Sequence, residues 1–539
     1  MRYKGVVARV LFIENHDSFS WNVLEALPFA PSEIQVTTAA AAWDALDQAE
    51  LVVMGPGPTD PQRAGLVELV HEIARRRLPF LGVCLGHQAL GLAFGAKLLR
   101  SLPAHGKRAL ATFSGSTRFP GVEGELEVMR YHSLSLAEVK SPLRVVASLA
   151  DGTVMAVEHE SLPMAGVQFH PDSFGTPRGR ALLASFFGKK PSGKTPLSLS
   201  LRQRRGGRGE GLSLSSLRSH DQFALLAPGY ADHGQWTLLE GLHEHPEGEL
   251  WFATAEGKPR RFKGTRRLID LELDLAPKSL EVRLDETGFL EGVSAIREHI
   301  AAGDVYQVNL TLRAELSGAD GAQFLANLCR KSVPRFGAWV KGAGLGELVS
   351  ASPELLVEVR PAGGRETVVC VEPMKGTAPA GQRAWLEQSQ KDRAELAMIT
   401  DLLRDDLHHL CDPGTVHVRN EQRMIELPYV VQAVADVEGR LREGVTLEQV
   451  LAVVHPGGSV TGAPREAALH FISQLELTPR GAYCGTLGLE TDGAARFALL
   501  IRTAERTGEG WRYGVGSGIT WDSDPKAELE EVRLKLGAL

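Results

Sequence analysis

The sequence predicts an α/β N-terminal half, an open mostly parallel sheet with helices on both faces, joined to an α+β C-terminal half. Three observations carry that reading. Short apolar runs alternate with helical stretches from Val6 to about Lys190. A stretch rich in Ser, Gly, Arg and Lys follows from Lys189 to Ser216, with almost no large apolar residue except Leu. Beyond it, strands and long helices mix without regular alternation. Regular alternation asks for parallel strands joined by helical crossovers that cover both faces, whereas irregular mixing marks α+β. The expected division is a first domain over 1–190, a flexible linker over 191–216, a segment over 217–284 and a C-terminal domain over 285–539.

In the first half, Val10–Glu14, Leu51–Met54, Phe80–Cys84 and Gly166–Phe169 read as buried strands, being short continuous apolar runs. Asn22–Leu27, Ala64–Arg77 and His87–Phe94 read as helices. Ligands of such sheets bind at the carboxyl ends of the strands, and the polar motifs follow the strands there. In the second half, Gln390–His409 carries apolar residues at Leu396, Ile399, Leu402 and Leu403, the spacing of a helix.

Composition bounds the rest. A chain of 539 residues is too long for one core. It is 43% apolar and 23% charged, ordinary for a globular protein. A net charge of −7 does not favour nucleic acid, and the basic runs Arg75-Arg76-Arg77 and Arg202 to Arg208 read as a solvated helix end and a linker. Five scattered cysteines without a CxxC argue for a reducing compartment and against structural zinc. No apolar run reaches the ~18 residues of a membrane span, and Val6 to Ile13 reads as a buried strand rather than a signal peptide. The expected location is the cytoplasm, with no membrane partner.

Gly82-Val83-Cys84-Leu85-Gly86 has the form GxCxG between a strand and a helix. This is a nucleophile elbow: the glycines permit a sharp turn, and the helix N-terminus favours a thiolate. His170, after a late strand, is a candidate base, and Asp172 can orient it. Gly55-Pro56-Gly57-Pro58 can supply an amide that joins the Leu85 amide as an oxyanion hole.

The second half offers an acidic set, anion-binding loops and one lysine. Glu395 lies on the Gln390–His409 helix, and Glu528 and Glu531, three apart, share a helix face. Such carboxylates suit Mg²⁺, which takes few protein ligands and keeps waters; spacing alone leaves two solvated helix faces open. Gly457–Gly462 and Gly514–Gly518 can present backbone amides, and Arg502 can clamp a carboxylate. No GxxxxGK[ST] motif for ATP is present. Lys375, in Pro373-Met374-Lys375-Gly376-Thr377, must be neutral to act as a nucleophile. An ordinary lysine has a pKa of ~10.4, so its neutral form at pH 7 costs about 4 kcal/mol, which burial or a neighbouring cation can supply. The same position also suits a surface lysine in a turn.

These motifs carry a resemblance. Residues 9–188 resemble class I (triad) glutamine amidotransferases of the anthranilate and aminodeoxychorismate synthase type, through Asp17–Ser20, Gly55–Pro58, Gly82–Gln88, Arg130–Leu134 and Gln168–Pro171. The resemblance implies Cys84 as nucleophile, His170 as base, and Gly57, Leu85, Gln88, Ser133 and Leu134 around the glutamine. Residues from about 285 to 539 resemble chorismate-utilising enzymes, through Gly303–Leu310, Ser350–Glu354, Pro373–Thr377, Lys391–Glu395, Asp401–Arg404, Gly457–Pro464, Ile501–Thr503 and Gly516 to Pro525. It implies Mg²⁺ on Glu395 and Glu531 with Glu528, and chorismate against Gly376, Thr377, Thr461, Tyr483, Arg502, Gly516 and Gly518.

Within that family anthranilate synthases carry Ala where this chain has Lys375, and aminodeoxychorismate synthases carry Lys. The resemblance therefore implies attack of Lys375 on C2 of chorismate, with Glu354 as acid and base. Ammonia then adds at C4 to give 4-amino-4-deoxychorismate, which a separate lyase carries to 4-aminobenzoate for folate. Rival readings are a fused anthranilate synthase and a degenerate regulatory homologue. Four departures limit the carry-over, and only the first two support the degenerate reading: Asp172 stands where the family has Glu, Gln432 where it has His, and Asp405 where it has Asn. Ala378-Pro379-Ala380 replaces arginines.

Overall fold

The computed structural model describes residues 10–189 and 210–536, apart from 220, 228–229, 231–234, 273, 276–279, 331–333, 427–429, 492 and 509. The first half is built on nine strands: β1 (Val10–Glu14), β2 (Ile34–Thr38), β3 (Leu51–Met54), β4 (Phe80–Val83), β5 (Lys97–Phe113), β6 (Gly124–Ala137), β7 (Leu143–Ser148), β8 (Val154–His159) and β9 (Met164–Val167). Their order is β2-β1-β3-β4-β9-β8-β7-β5-β6. The pairings from β2 to β9 are parallel, and those from β9 through β6 are antiparallel. The expected mostly parallel sheet is thus mixed. The long antiparallel strands escaped the sequence reading because β5 and β6 mix buried with half-buried and exposed positions and lack the continuous apolar run of a doubly covered strand.

Both faces of the parallel part are covered. Along β1, Val10 and Phe12 enter one core with Val23, Leu182 and Leu183, while Leu11 and Ile13 enter another with Leu66, Leu69, Ile73 and Leu90. This is the period-two alternation of a strand between two helical layers.

The second half is one continuous network of strands from Glu210 to Ile519, antiparallel except where Glu210–Ser213 pairs parallel with Ile269–Glu272. Alternate residues of Phe223–Leu226 again feed different cores. Phe223 and Leu225 pack with the helices Glu286–Ala302, Gly321–Cys329 and Pro525–Leu536. Ala224 and Leu226 pack mainly with strand residues, such as Leu250, Leu348, Leu487 and Leu489. Sheet therefore packs on sheet, with helices outside. The strand at Glu210–Ser213 shortens the expected linker at its C-terminal end, and 191–209 lie outside the described residues. The 217–284 segment is woven into the same sheet, since Leu250–Ala253 pairs with Thr486–Leu489.

The helix Gln390–His408 joins the two halves. Ser389 caps it by accepting a hydrogen bond from the Asp392 amide. Its N-terminal part carries Glu395 into a cavity of the second half and meets β5 of the first where Gly106 abuts Ala394, and its C-terminal part packs on the helix Ser20–Ala26. No helix among the described residues is long and apolar enough to cross a membrane, and all five cysteines are buried and unpaired.

Candidate active sites and the interface between them

Cys84 sits between β4 and the helix Leu85–Ala93 with φ +52°, a strained value for a residue with a side chain. The turn closes only because its flanks are glycines. A Cβ on Gly82 would stand 2.3 Å from the Gly86 backbone, and one on Gly86 would stand 2.3 Å from the Met54 carbonyl oxygen. The Cys84 Sγ lies 3.8 Å from the Tyr131 carbonyl oxygen and 3.6 Å from Gln168 Nε2. Burial opposes charge on His170, but Asp172 and the Cys84 sulfur hold its pKa well above the ordinary imidazole value. That favours the protonated imidazolium beside the Cys84 sulfur. The Asp172 Oδ1 stands 3.4 Å from His170 Nδ1. This is an ion-pair distance without an aligned hydrogen bond, as the short side chain leads one to expect.

The candidate glutamine residues lie around this centre. Gly57 abuts Leu85 and Asn15 so closely that a Cβ would meet both at 2.7 Å. Gln88 Nε2 donates to the Leu134 carbonyl at 3.1 Å and to Gln168 Oε1 at 3.2 Å. Ser133 is turned elsewhere: its hydroxyl donates to the Ile300 carbonyl of the second half at 2.6 Å.

The second centre is a cavity of about 370 Å³. Lys375 and Glu354 form its floor, with Gly376, Thr377, Glu395, Gln432, Tyr483, Arg502, Gly516, Gly518 and Glu531 on the walls. The Lys375 Nζ donates to the Ser459 carbonyl at 3.0 Å, and the Ser459 hydroxyl donates to Glu354 Oε1 at 2.7 Å. Burial pushes the Lys375 pKa down, against the pull of Glu395 and Glu354. Burial also pushes Glu354 and Glu395 each up to about 7, against Ser459 and Lys375 at the first and against Lys375 and Lys391 at the second. An amine held towards neutrality beside a carboxyl that titrates near neutral pH is the setting for a nucleophile and a proton carrier. Arg502 lines the wall at φ +52°, a strained backbone that recurs at ligand sites.

Two expected residues are not on the wall. Thr461 is buried behind it, where its hydroxyl donates to the Gly457 carbonyl at 3.0 Å; Ser459 and Val460 take its place. Glu528 lies beneath, accepting from Ser517 and from Lys391 Nζ at 2.5 Å. Lys391 also stands 3.7 Å from Glu395, and Lys535 pairs with Glu531 at 2.7 Å. Among the described residues no group of three or more His, Cys, Asp or Glu is disposed as a metal cage. What stands there is a pair of wall carboxylates, Glu395 and Glu531, a set that suits an oxygen-seeking ion that keeps its waters.

Residue reading missed Gln307. A Cβ on Gly518 would lie 2.4 Å from its Nε2, 2.9 Å from Lys375 Nζ and 3.3 Å from Glu395 Oε2. Gln307 is buried, and neither its Nε2 nor its Oε1 has a partner. It lies in the quoted Gly303–Leu310 motif, but only the strand phase shows which side chain faces the cavity. The departure Gln432 lines the cavity with its Oε1 unpartnered, placed to bond but not to donate a proton in turnover. A larger cleft of about 520 Å³ lies elsewhere, against Arg440–Leu447; its Arg440 is already paired with Asp412 and Glu366.

Between the two centres runs a polar interface that sequence reading did not assign. Asp401 accepts hydrogen bonds from Tyr131 Oη at 2.7 Å, from the Ser173 hydroxyl and from Arg404. Arg404 also donates to the Asp172 carbonyl at 3.2 Å. The departure Asp405 takes up two otherwise open amides, Trp21 N at 2.7 Å and Asn22 N at 2.9 Å, at the start of the helix Ser20–Ala26.

A buried thiol–imidazole–carboxylate set docked on a lysine-floored, carboxylate-walled cavity defines a two-centre protein, and comparison with known families agrees. Residues 224–539 match the chorismate binding enzymes and residues 11–190 match class-I glutamine amidotransferases. The chain belongs to the chorismate binding enzyme family and carries a class-I glutamine amidotransferase domain at its N-terminal side. An aminodeoxychorismate synthase of Streptomyces griseus is 29% identical, over 98% of this chain and 95% of that protein. An anthranilate synthase component 1 of Haloarcula marismortui is 36% identical over 54% of this chain and 59% of its own length. For the fold, a solved putative isochorismate synthase of Bacillus anthracis, 21% identical, superposes with a TM-score of 0.50, covering 60% of this chain and 97% of that one.

Proposed function

We propose that the protein aminates chorismate at C4 with ammonia from glutamine, giving 4-amino-4-deoxychorismate. The observation that carries the reading is Lys375 on the floor of the cavity, buried, its pKa pushed down, and beside Glu354. The Cys84 thiolate attacks the glutamine amide carbon, the C–N bond breaks as His170 gives its proton to the departing ammonia, and water then hydrolyses the glutamyl thioester to release glutamate and free Cys84. Amides near Gly57 and Leu85 receive the charge that builds on the carbonyl oxygen. In the second centre neutral Lys375 attacks C2 of chorismate while Glu354 protonates the departing C4 hydroxyl. Ammonia then adds at C4, the C2–nitrogen bond to Lys375 breaks, and Glu354 is restored. Arg502 and the amides at Gly516 and Gly518 hold the substrate carboxylates.

Glu395 and Glu531 would hold Mg²⁺, with Lys391 and Lys535 moving off them. The ion supplies positive charge against a substrate carboxylate. The reading extends to a cytoplasmic enzyme whose product a separate lyase converts to 4-aminobenzoate for folate. Supporting it over a fused anthranilate synthase is Lys375 itself, since the anthranilate chemistry needs no amine at that place. The test is to add a purified 4-amino-4-deoxychorismate lyase after the reaction. 4-Aminobenzoate should form only with the lyase present; 2-aminobenzoate without it would overturn the reading.

A further inference from the structure

Two consecutive residues stand between the centres and face opposite ways. Neighbouring side chains of an extended chain point to opposite faces, and the strand Gln307–Ser317 begins at this point. Gln307 is turned toward Gly518 and Lys375, which line the cavity. Tyr306 faces the amidotransferase centre, and its hydroxyl donates to Asp17 Oδ2 at 2.6 Å. Its ring stacks on His105 at 5.0 Å and on Phe19 at 6.0 Å. Phe19 and Tyr131 in turn set their rings edge-on to His170, at 5.4 and 5.0 Å. The backbone is fixed here, because Tyr306 N donates to the Ala463 carbonyl at 2.7 Å and Gln307 pairs with Ala463. Any opening at this point therefore belongs to the side chain.

We propose that the Tyr306 side chain is the seal between the two centres: its bond to Asp17 holds it closed over the His170 chamber, and rotation away from Phe19 and His105 opens a passage for ammonia toward Gln307 and Lys375. The inference rests on the reading of one half as ammonia maker and the other as ammonia user. Its chemistry fits the cargo. Ammonia must stay neutral to react, and a collar of aromatic rings gives it no bulk water from which to take a proton. The unpartnered Gln307 amide offers the next polar contact. Burial raises Asp17 to about 6, against His170 and the Tyr306 hydroxyl, so above that pH its charged carboxylate accepts the hydrogen bond from the tyrosine hydroxyl. Tyr306 is thus a positioning residue, supplied by the synthase half to close the other half's site.

The experiment supplies [amide-¹⁵N]glutamine with an equal concentration of [¹⁴N]ammonium and reads the isotope in the aminated product. Ammonium-driven amination is measured on the same preparation. Wild-type protein should favour the glutamine nitrogen by about tenfold or more, as expected of an internal route with high effective concentration. Tyr306→Ala should lose most of that preference, and Tyr306→Phe, which keeps the ring and loses the bond to Asp17, part of it. Both should keep ammonium-driven rates near wild type. Wild-type preference in both variants overturns the seal. If Tyr306→Ala loses ammonium-driven activity as well, full preference in Tyr306→Phe still overturns it, and reduced preference there supports it. A wild-type protein that aminates from ammonium without preferring the glutamine nitrogen overturns the passage itself. One that aminates from neither source overturns the functional reading, and the seal with it.

Discussion

Replacing Asp401 by alanine should uncouple the two halves at one atom group. The Asp401 carboxylate is buried, lies on the synthase helix Gln390–His408, and accepts from Tyr131 and Ser173 of the amidotransferase half and from Arg404 of its own helix. Alanine leaves the buried Arg404 guanidinium without its carboxylate and the Tyr131 and Ser173 hydroxyls without an acceptor. Removing one partner of a buried ion pair costs about 3–5 kcal/mol, or about two to three and a half powers of ten. The loss falls on the glutaminase centre because Tyr131 flanks both catalytic groups: its ring meets His170 at 5.0 Å, and its carbonyl lies 3.8 Å from Cys84 Sγ. Glutaminase kcat/KM should fall by about 10² or more, while ammonium-driven amination stays within a few-fold. Glutamate release and ammonium-driven product are measured on one preparation. A glutaminase rate within twofold of wild type, or equal loss of both activities, would refute the reasoning.

Lys375→Ala should abolish amination of chorismate from either nitrogen source and leave glutamate release intact; parallel loss of both would contradict the assigned roles. Glu354 offers a pH test. Its folded pKa of about 7 lies above its ordinary value of 4.5. The stability of the protonated group is therefore fully present below about pH 4.5 and is lost as pH rises through 7. Glu354→Gln removes that titration, so melts should show the variant gaining on wild type between pH 4.5 and 8 by up to about 3 kcal/mol; a pH-independent difference would sink the claim. Chelating divalent metal should stop amination and spare glutaminase. Adding Mg²⁺ at about a hundred times its Kd should stabilise the synthase half against unfolding by about 2.7 kcal/mol. A Glu395→Gln/Glu531→Gln double variant should lose that stabilisation, and retention would place the ion elsewhere.

Legibility followed burial. The strands β1, β3 and β4 were readable as continuous apolar runs because both their faces are covered, whereas β5 and β6 mix buried with less buried positions; β8 is the exception, missed although all six of its positions are buried, because it ends in Glu158 and His159. The Cys84 elbow was readable because its requirement is local, with glycines two residues to either side. The second centre was legible only through motifs, because Glu354, Lys375, Tyr483 and Arg502 converge from segments far apart in the chain. A motif also blurs what it contains. Ser459 rather than Thr461 reaches the cavity, because the Thr461 hydroxyl is spent on the Gly457 carbonyl. In the same way Tyr306 and Gln307 divide between two sites by strand phase. Asp405 looked like a loss of pattern, yet it takes up two amides of the other half.

The most direct test of the central claim, that a buried Lys375 directs ammonia to C4, is mass spectrometry of the products from chorismate, glutamine and Mg²⁺ with a pyruvate assay in the same tube. An aminated chorismate that keeps its enolpyruvyl group, with no pyruvate released, is the result the account predicts. 2-Aminobenzoate with equimolar pyruvate would contradict it.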